Sequence, residues 1–462
     1  MAPRMIGLEE AVSLSREEVR QYYGRYVNPG LASLLGLLDF DKRFVRAQGV
    51  SVWDSRGEEY LDFLGGYGSV NLGHNHPRVV GALNAVKDAP NLLQASLNPF
   101  AAVLAHNLAL ITPGDLQMAF FGNSGAEAVE GALKLARAYT KRKRFLYAEG
   151  SFHGKSFGAL SVTGRRKYQE PFEPLLPGTA AVPYGEIEPL ERELQSGDVA
   201  AFIVEPVQGE GGVIVPPEGY LRGVRELCSR HGALLIADEI QTGFGRTGAM
   251  FACEHDGIVP DIMCVAKSLG GGVMPIGAYL TTERIWKEAY GGPNRSLLHT
   301  STFGGNSRAA AAGIVALEVI VGDGLAEKAR ILGDYFLGRL REMASSYPMI
   351  REVRGSGLLI GIEFEKPAQG VLARLGGELV NSFAEEYLGA MVAGELMNRH
   401  RVITAYTLNN PSVVRLEPPL VVTREQIDTV LEALREIFSR NRNVMSMTFS
   451  SVRTALGSAF RR

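Results

Sequence analysis

At 462 residues the chain is well beyond the roughly 150 residues usual for one domain, so two lobes with substantial buried volume are expected. Apolar residues make up 46% and charged residues 21%, which excludes a disordered or fibrous chain. The 48 basic and 50 acidic residues leave a net charge of −2, so no overall field exists to hold nucleic acid or an anionic membrane.

The chain opens MAPRMIGLEE, with acids where a secretory signal needs an apolar run. Residues Arg16 to Gly30 read as a short helix followed by an Asn-Pro-Gly turn. Gly49 to Leu64 alternates as strand-turn-strand, with Asp54-Ser55-Arg56-Gly57 as the hairpin turn. From about Leu97, short apolar runs (Met118–Phe121, Arg144–Tyr147, Ala200–Val204, Leu234–Ala237, Ile262–Ala266) alternate with helical patterns and Gly-containing loops. That alternation argues for βαβ units and a mainly parallel sheet covered on both faces. The apolar stretch from Ala309 to Val321 is interrupted by Glu318 and too short to cross a bilayer. Beyond Met349, strand-like segments at Gly357–Phe364 and Val413–Leu416 point to a smaller α+β lobe. Pro367–His400 carries a long helical pattern of undisclosed role, and the tail from Arg440 has five arginines and no acid, reading as a solvated end.

These patterns divide the chain into an N-terminal segment over 1–64 that joins the small lobe, a large lobe over 65–340, a small lobe over 341–440 and a basic tail over 441–462. The three cysteines, Cys228, Cys253 and Cys264, lack C-x-x-C spacing and suggest neither a disulfide framework nor a zinc site. A cytoplasmic protein is expected, without metal, nucleic acid or membrane.

The most informative run is Leu234–Gly243, LLIADEIQTG, in which an apolar strand delivers Asp238 to its carboxyl end, where open α/β sheets place ligands. The run Ile262–Ala266 similarly delivers Lys267, followed by Ser-Leu-Gly-Gly-Gly. A carboxylate and an amine at one rim suit pyridoxal phosphate, held as a Schiff base on the lysine with the acid at its ring nitrogen. An ordinary strand-edge ion pair is the other reading of these two residues alone. Upstream, Gly122-Asn123-Ser124-Gly125-Ala126 leads from a strand into a helix, an arrangement that presents free backbone N–H groups to a phosphate or is simple capping. No P-loop or G-x-G-x-x-G fingerprint is present. Phe152 in Phe-His-Gly could lie over a planar ring or pack in the core. His74-Asn75-His76 lacks further ligands at metal spacing and reads as a loop pair, and His153 and His299 as site neighbours.

Taken in order, SGAEA, SFHGKS, EPVQGEGGV, ADEIQTGFGRTG, PDIMCVAKSLGGG, HTSTFGGN and VVRLEPPL resemble the class III aminotransferases of PLP fold type I. The segments GGYGSVNLGH, FHGKSFGALS, MFACEH, GGGVMPIGA and TLNNPSVVRLEPPL are most similar to the putrescine aminotransferase group. The resemblance implies an aspartate aminotransferase-like fold, with a mainly parallel seven-stranded sheet in the large domain and a smaller α+β domain. It implies a transaminase that moves an amino group from a diamine or ω-amino acid to 2-oxoglutarate.

Carried over by position, Lys267 would bind pyridoxal phosphate and shuttle the proton, and Asp238 would pair with the ring nitrogen. Gln241 would lie near the phenolic oxygen, with Glu205 beneath the same region. Gly125 and Ala126 would hold the phosphate, Phe152 would stack on the ring, and Thr302 would reach the phosphate of a neighbouring subunit, which implies a homodimer. Arg415 would take the carboxylate of 2-oxoglutarate or glutamate, masked by Glu210 while an amine is bound, and Tyr67 and Lys155 would line the distal pocket.

Two stretches depart from the putrescine group: Pro367–His400 is longer, and Leu31–Gln48 does not match cleanly. Three alternatives accompany this expectation. They are a different ω-amino donor such as ornithine or acetylornithine, another PLP reaction such as racemisation, and a non-catalytic protein that has kept the fold.

Overall fold

A computed structural model of the chain describes residues 5–93, 95–365 and 389–440. The central sheet has seven strands, in the order Met118–Gly122, Gly277–Thr281, Ile262–Val265, Leu234–Asp238, Val199–Val204, Arg144–Ala148, Thr179–Val182. The pairings among the last five are parallel, while Gly277–Thr281 runs antiparallel to both its neighbours.

The strands are buried on both faces because neighbouring residues enter different layers. Phe145, Tyr147, Ile203 and Ile236 join one apolar cluster with the helix Gly125–Thr140. Leu146, Ala148, Phe202, Val204 and Leu235 join the larger cluster, with helices Tyr220–His231 and Ser307–Gly322. Ala309, Ala312, Ala316 and Ile320 of the last helix are buried there, so its apolar run serves the core. Among the described residues no single helix is long and apolar enough to cross a membrane.

Two four-stranded sheets flank this layer. One pairs Phe44–Gln48, Ser51–Asp54 and Glu59–Asp62 antiparallel and adds Val402–Ile403 parallel to the last. The N-terminal hairpin is thereby tied to a segment some 340 residues later in sequence. The other sheet runs Ile350–Ser356, Leu359–Phe364, Val413–Leu416, Ala405–Tyr406. The turn expected at Asp54 is present, and Asp54 Oδ1 accepts from the N–H groups of Arg56 and Glu58 at 2.9 and 3.0 Å.

Several local expectations are corrected. Asn28-Pro29-Gly30 starts a second helix, Pro29–Leu37, instead of a free turn. Asn28 caps it by accepting from Leu31 N–H, and Pro29 takes the first turn, where its missing N–H costs nothing. Strands Gly277–Thr281 and Thr179–Val182 escaped the sequence reading. Both are short and flanked by Pro or Gly, and such runs carry little periodicity. His299 stacks on Phe120 with ring centroids 4.2 Å apart, outside the group of residues that face the cavity described next. Residues 366–388 and the basic tail 441–462 lie outside the described residues.

Candidate active site

The carboxyl ends of the parallel strands open into a cavity of about 630 Å³. Asp238 ends its strand and is paired in register with Cys264 of the next, so Lys267, two residues past that strand, emerges beside it. Lys267 itself has φ 47°, in the left-handed region that L-residues rarely adopt. That conformation turns the chain sharply into the short helix Lys267–Gly270 and points to a backbone held for function. Gly272 follows at φ 72°, where a Cβ would lie 2.3 Å from Val70 Cγ1.

One end of the cavity is made by the start of helix Gly125–Thr140. Ser124 caps it by accepting from Glu127 N–H at 3.2 Å. The N–H groups of Gly125 and Ala126 belong to the first turn, which has no intrahelical acceptors, and face the cavity with the positive end of the helix dipole. A Cβ at Gly125 would lie 2.8 Å from Ile240 Cδ1. Opposite, Phe152 and His153 follow strand Arg144–Ala148. Phe152 N–H donates to Glu205 Oε1 at 2.8 Å, and His153 Nδ1 lies 2.7 Å from Asp238 Oδ2. Ile240 N–H donates to the other Asp238 oxygen at 3.1 Å, so this carboxylate is fixed from two sides.

Burial shapes the charges. Glu205 is 4% exposed, and loss of hydration pushes its carboxyl up to about 7. The nearby Asp238 adds to that rise, while His153 and the N–H groups of Phe152 and Gly209 oppose it. The Lys267 amine is lowered, chiefly by burial and further by Arg415, against the opposing pull of Glu417, Glu210 and Asp238. Burial alone would raise the Glu210 carboxyl, but Arg415 outweighs it and holds the group below its usual range. Arg415 Nη2 donates to Glu210 Oε2 at 2.6 Å, and its guanidinium lies 5.0 Å from the Tyr67 ring centroid. The loop before strand Val413–Leu416 completes this corner: Leu408 N–H donates to Glu210 Oε2 at 2.8 Å, and Asn409 Nδ2 to Gly150 O at 2.8 Å.

Of the residues singled out from sequence, Lys267, Asp238, Gly125, Ala126, Phe152, Glu205, Gln241, Tyr67 and Glu210 face this one cavity. Arg415 is fully buried behind Glu210 and Tyr67. Lys155 is not brought to the lining. It is exposed, with its ammonium 4.6 Å from the Tyr168 ring centroid. Thr302 also lies off this cavity, exposed in the loop preceding helix Ser307–Gly322.

The residue the sequence reading passed over is Glu417. It is fully buried and accepts from Gln241 Nε2 through both oxygens, at 3.0 and 2.9 Å. A signal was available, since it stands two residues after Arg415 in an extended segment, where side chains two apart share a face.

Pyridoxal phosphate fits these groups. His153 Nε2 is a buried polar atom with no hydrogen-bond partner among the described residues. The helix start is closed to a Cβ, as a close approach of backbone to a phosphate requires. A lysine and a carboxylate flank the space between.

Comparison with known proteins agrees with this geometry. The family Aminotransferase class-III matches residues 40–438. The ornithine aminotransferase of Toxoplasma gondii, crystallised with partial occupancy of PLP at its active site, is 33% identical at a TM-score of 0.81. The alignment covers 94% of this chain and 97% of that one. The acetylornithine aminotransferase of Elizabethkingia anophelis is 31% identical at a TM-score of 0.75, covering 92% and 99%. An amine transaminase from an uncultivated Pseudomonas species, in a PLP-bound form, is 31% identical at a TM-score of 0.76, covering 86% and 95%. With this fold, this rim of side chains and a family match across most of its length, the chain belongs to the class III aminotransferases, enzymes that transfer amino groups with pyridoxal phosphate.

Proposed function

We propose that the enzyme transfers the terminal amino group of a diamine or ω-amino acid, putrescine-like in shape, to 2-oxoglutarate, giving an aldehyde and glutamate. The observation that carries this reading is the buried Glu210–Arg415 contact of 2.6 Å at the cavity wall. An arginine paired with a mobile-length acid presents little net charge to an amine with an uncarboxylated tail. When the acid turns away, the same guanidinium offers a fork matched to a keto-acid carboxylate. Arg415 Nε and Nη1 have no hydrogen-bond partner among the described residues, leaving donors for that second role.

When bound, pyridoxal phosphate supplies an aldehyde for the amino group and a ring that draws electrons from the carbon bearing it. Lys267 Nζ carries the coenzyme and, once released, takes the proton from the amine-bearing carbon and returns it one position along. Burial lowers the pKa of its amine, which favours the unprotonated form a base needs. Asp238, fixed by His153, would pair with the ring nitrogen and keep it protonated. Gln241 and Glu205 would hold the side of the coenzyme that carries its phenolic oxygen, Phe152 would pack against its ring, and the N–H groups of Gly125 and Ala126 would take its phosphate. Tyr67 borders the substrate's distal end, and Lys155 stands at the outer margin.

Thr302 serves the phosphate of a neighbouring subunit in a homodimer. Its surroundings support this: Leu92, Leu93, Leu97, Leu297, Leu298 and Phe303 are exposed. Their segments are joined by Asn98 Nδ2 donating to Gly305 O at 2.9 Å and by Ser307 N–H donating to Asn91 O at 3.2 Å. Exposed apolar side chains gathered on two joined segments are a feature of protein interfaces.

Ornithine is the second donor reading, favoured by the likeness to the Toxoplasma gondii enzyme. A panel of diamines, ornithine, acetylornithine and ω-amino acids with 2-oxoglutarate, scored by glutamate formed, tests the donor. A single donor without keto acid should stop after one equivalent per site, and continued turnover would exclude transamination.

A further inference from the structure

Glu417 is a fully buried carboxylate that none of these roles uses. Glu417 does not face the cavity, yet the chain is shaped around it. Arg415 Nη1 stands 3.8 Å from its Oε2 and Arg246 Nε 3.9 Å from its Oε1, all three side chains being fully buried. Gln241 Nε2 bridges both oxygens. A Cβ on Gly68 would lie 2.4 Å from Glu417 Oε1, and one on Gly65 2.4 Å from its carbonyl oxygen, with φ 78° and 58° at the two glycines. Its own N–H donates to Phe63 O at 2.7 Å. The segment that carries Tyr67 is therefore folded against this one residue.

We propose that Glu417 is a positioning residue that fixes the Gln241 amide and completes the countercharge of Arg415, biasing the pocket towards cationic amine donors. The inference deepens the reading of the cavity as a coenzyme and substrate site and rests on it. Around Glu417 stand Arg415, Arg246, Tyr67 and Gln241, with Lys267, Glu210 and Asp238 across the cavity and Asp62 beyond Arg246. Arg415 and Arg246 stand 3.8 and 3.9 Å from the Glu417 carboxylate, so its removal makes this wall of the site more positive where screening is poor. A donor with a second ammonium group then meets repulsion, while an anionic keto acid gains attraction. Glu417 also fixes the orientation of the Gln241 amide: Nε2 is held by the carboxylate, and Oε1 lies against Gly209.

The test uses the coenzyme-loaded enzyme. In Glu417→Gln, which keeps volume and removes charge, KM for 1,4-diaminobutane or ornithine, whichever the wild type converts, should rise about tenfold. KM for 2-oxoglutarate should stay level or fall. The pH midpoint of the visible absorbance of the lysine-bound coenzyme should drop by about one unit, because Glu417 helps hold the proton on the lysine nitrogen. Glu417→Asp keeps the charge but retracts from Gln241, so the midpoint should stay at the wild-type value while kcat falls. A purely structural role would lower the Tm of the coenzyme-free variants without moving the midpoint or separating the two KM values, and that result overturns the proposal. Should Glu417→Gln give no soluble enzyme, Glu417→Asp decides alone: reduced kcat at an unchanged midpoint and a wild-type Tm of the coenzyme-free protein supports the proposal, and any other pattern overturns it. Absence of a lysine-bound absorbance band in the wild type would instead overturn the reading of the cavity itself.

Discussion

Glu205 shows how one side chain can be held in a state the solvent would not choose. Its carboxyl keeps its proton to about pH 7 in the folded enzyme, against 4.5 in an unfolded chain. A carboxyl that binds its proton more tightly folded than unfolded weakens folding only where it must ionise. The penalty is therefore absent below pH 4.5, grows between 4.5 and 7, and is constant above, reaching about 3 kcal/mol at most. Glu205→Gln keeps an acceptor for the N–H groups of Phe152 and Gly209 and removes that titration. Its Tm, followed from pH 4.5 to 8 without coenzyme, should fall less across this window than the wild type's. Lys267→Ala should abolish the coenzyme's lysine-bound absorbance band and turnover together. A variant turning over at the wild-type rate would show that another group moves the proton. Lys267 and Asp238 were legible from sequence because each ends an uninterrupted apolar run. Glu417 was less so: its spacing from Arg415 put both on one face, but an acid between Leu and Pro looks like any surface charge until two buried arginines and an amide are seen around it.

At the scale of elements, the junction of strand Gly277–Thr281 with the first turn of helix Gly125–Thr140 sets the cavity floor. A Cβ at Gly277 would lie 2.2 Å from Ser124 O, a backbone atom that cannot move without shifting the helix start. Gly277→Ala should lower stability by about 1–3 kcal/mol in urea unfolding and weaken coenzyme retention more than its exposure of surface explains. Gly125→Ala meets the flexible Ile240 side chain at 2.8 Å, so it should cost less stability and still weaken retention of the phosphate. Four of the parallel strands were readable as buried apolar runs, whereas Thr179–Val182, mostly unburied at the sheet edge, was not. The antiparallel Gly277–Thr281 was not, because pairing direction is set by the neighbours a strand finds and leaves no mark in five residues.

At the scale of the whole molecule, the exposed apolar residues near 92–97 and 297–303 and the position of Thr302 off its own cavity lead to one prediction. If Thr302 serves the neighbouring subunit, co-expression of Lys267→Ala with Thr302→Ala should yield mixed dimers with one complete site and one doubly defective site. Coenzyme affinity at the single active site should then match the wild type, whereas Thr302→Ala alone should show weakened affinity at both. Equal weakening in mixed and homogeneous dimers would place Thr302 on its own chain's site.

Sequence alone determined what depends on local order: the alternation that makes a parallel sheet, the delivery of Asp238 and Lys267 to strand ends, and the run of motifs similar to class III aminotransferases. Tertiary structure alone decided what depends on residues far apart in the chain. It set Glu417 between Arg415 and Arg246 and tied residues 59–62 to 402–403. The division follows from the physics. Burial of apolar runs leaves a period in the sequence, whereas a buried charge is tolerated only where folding supplies its partners, and those partners leave no local pattern to read.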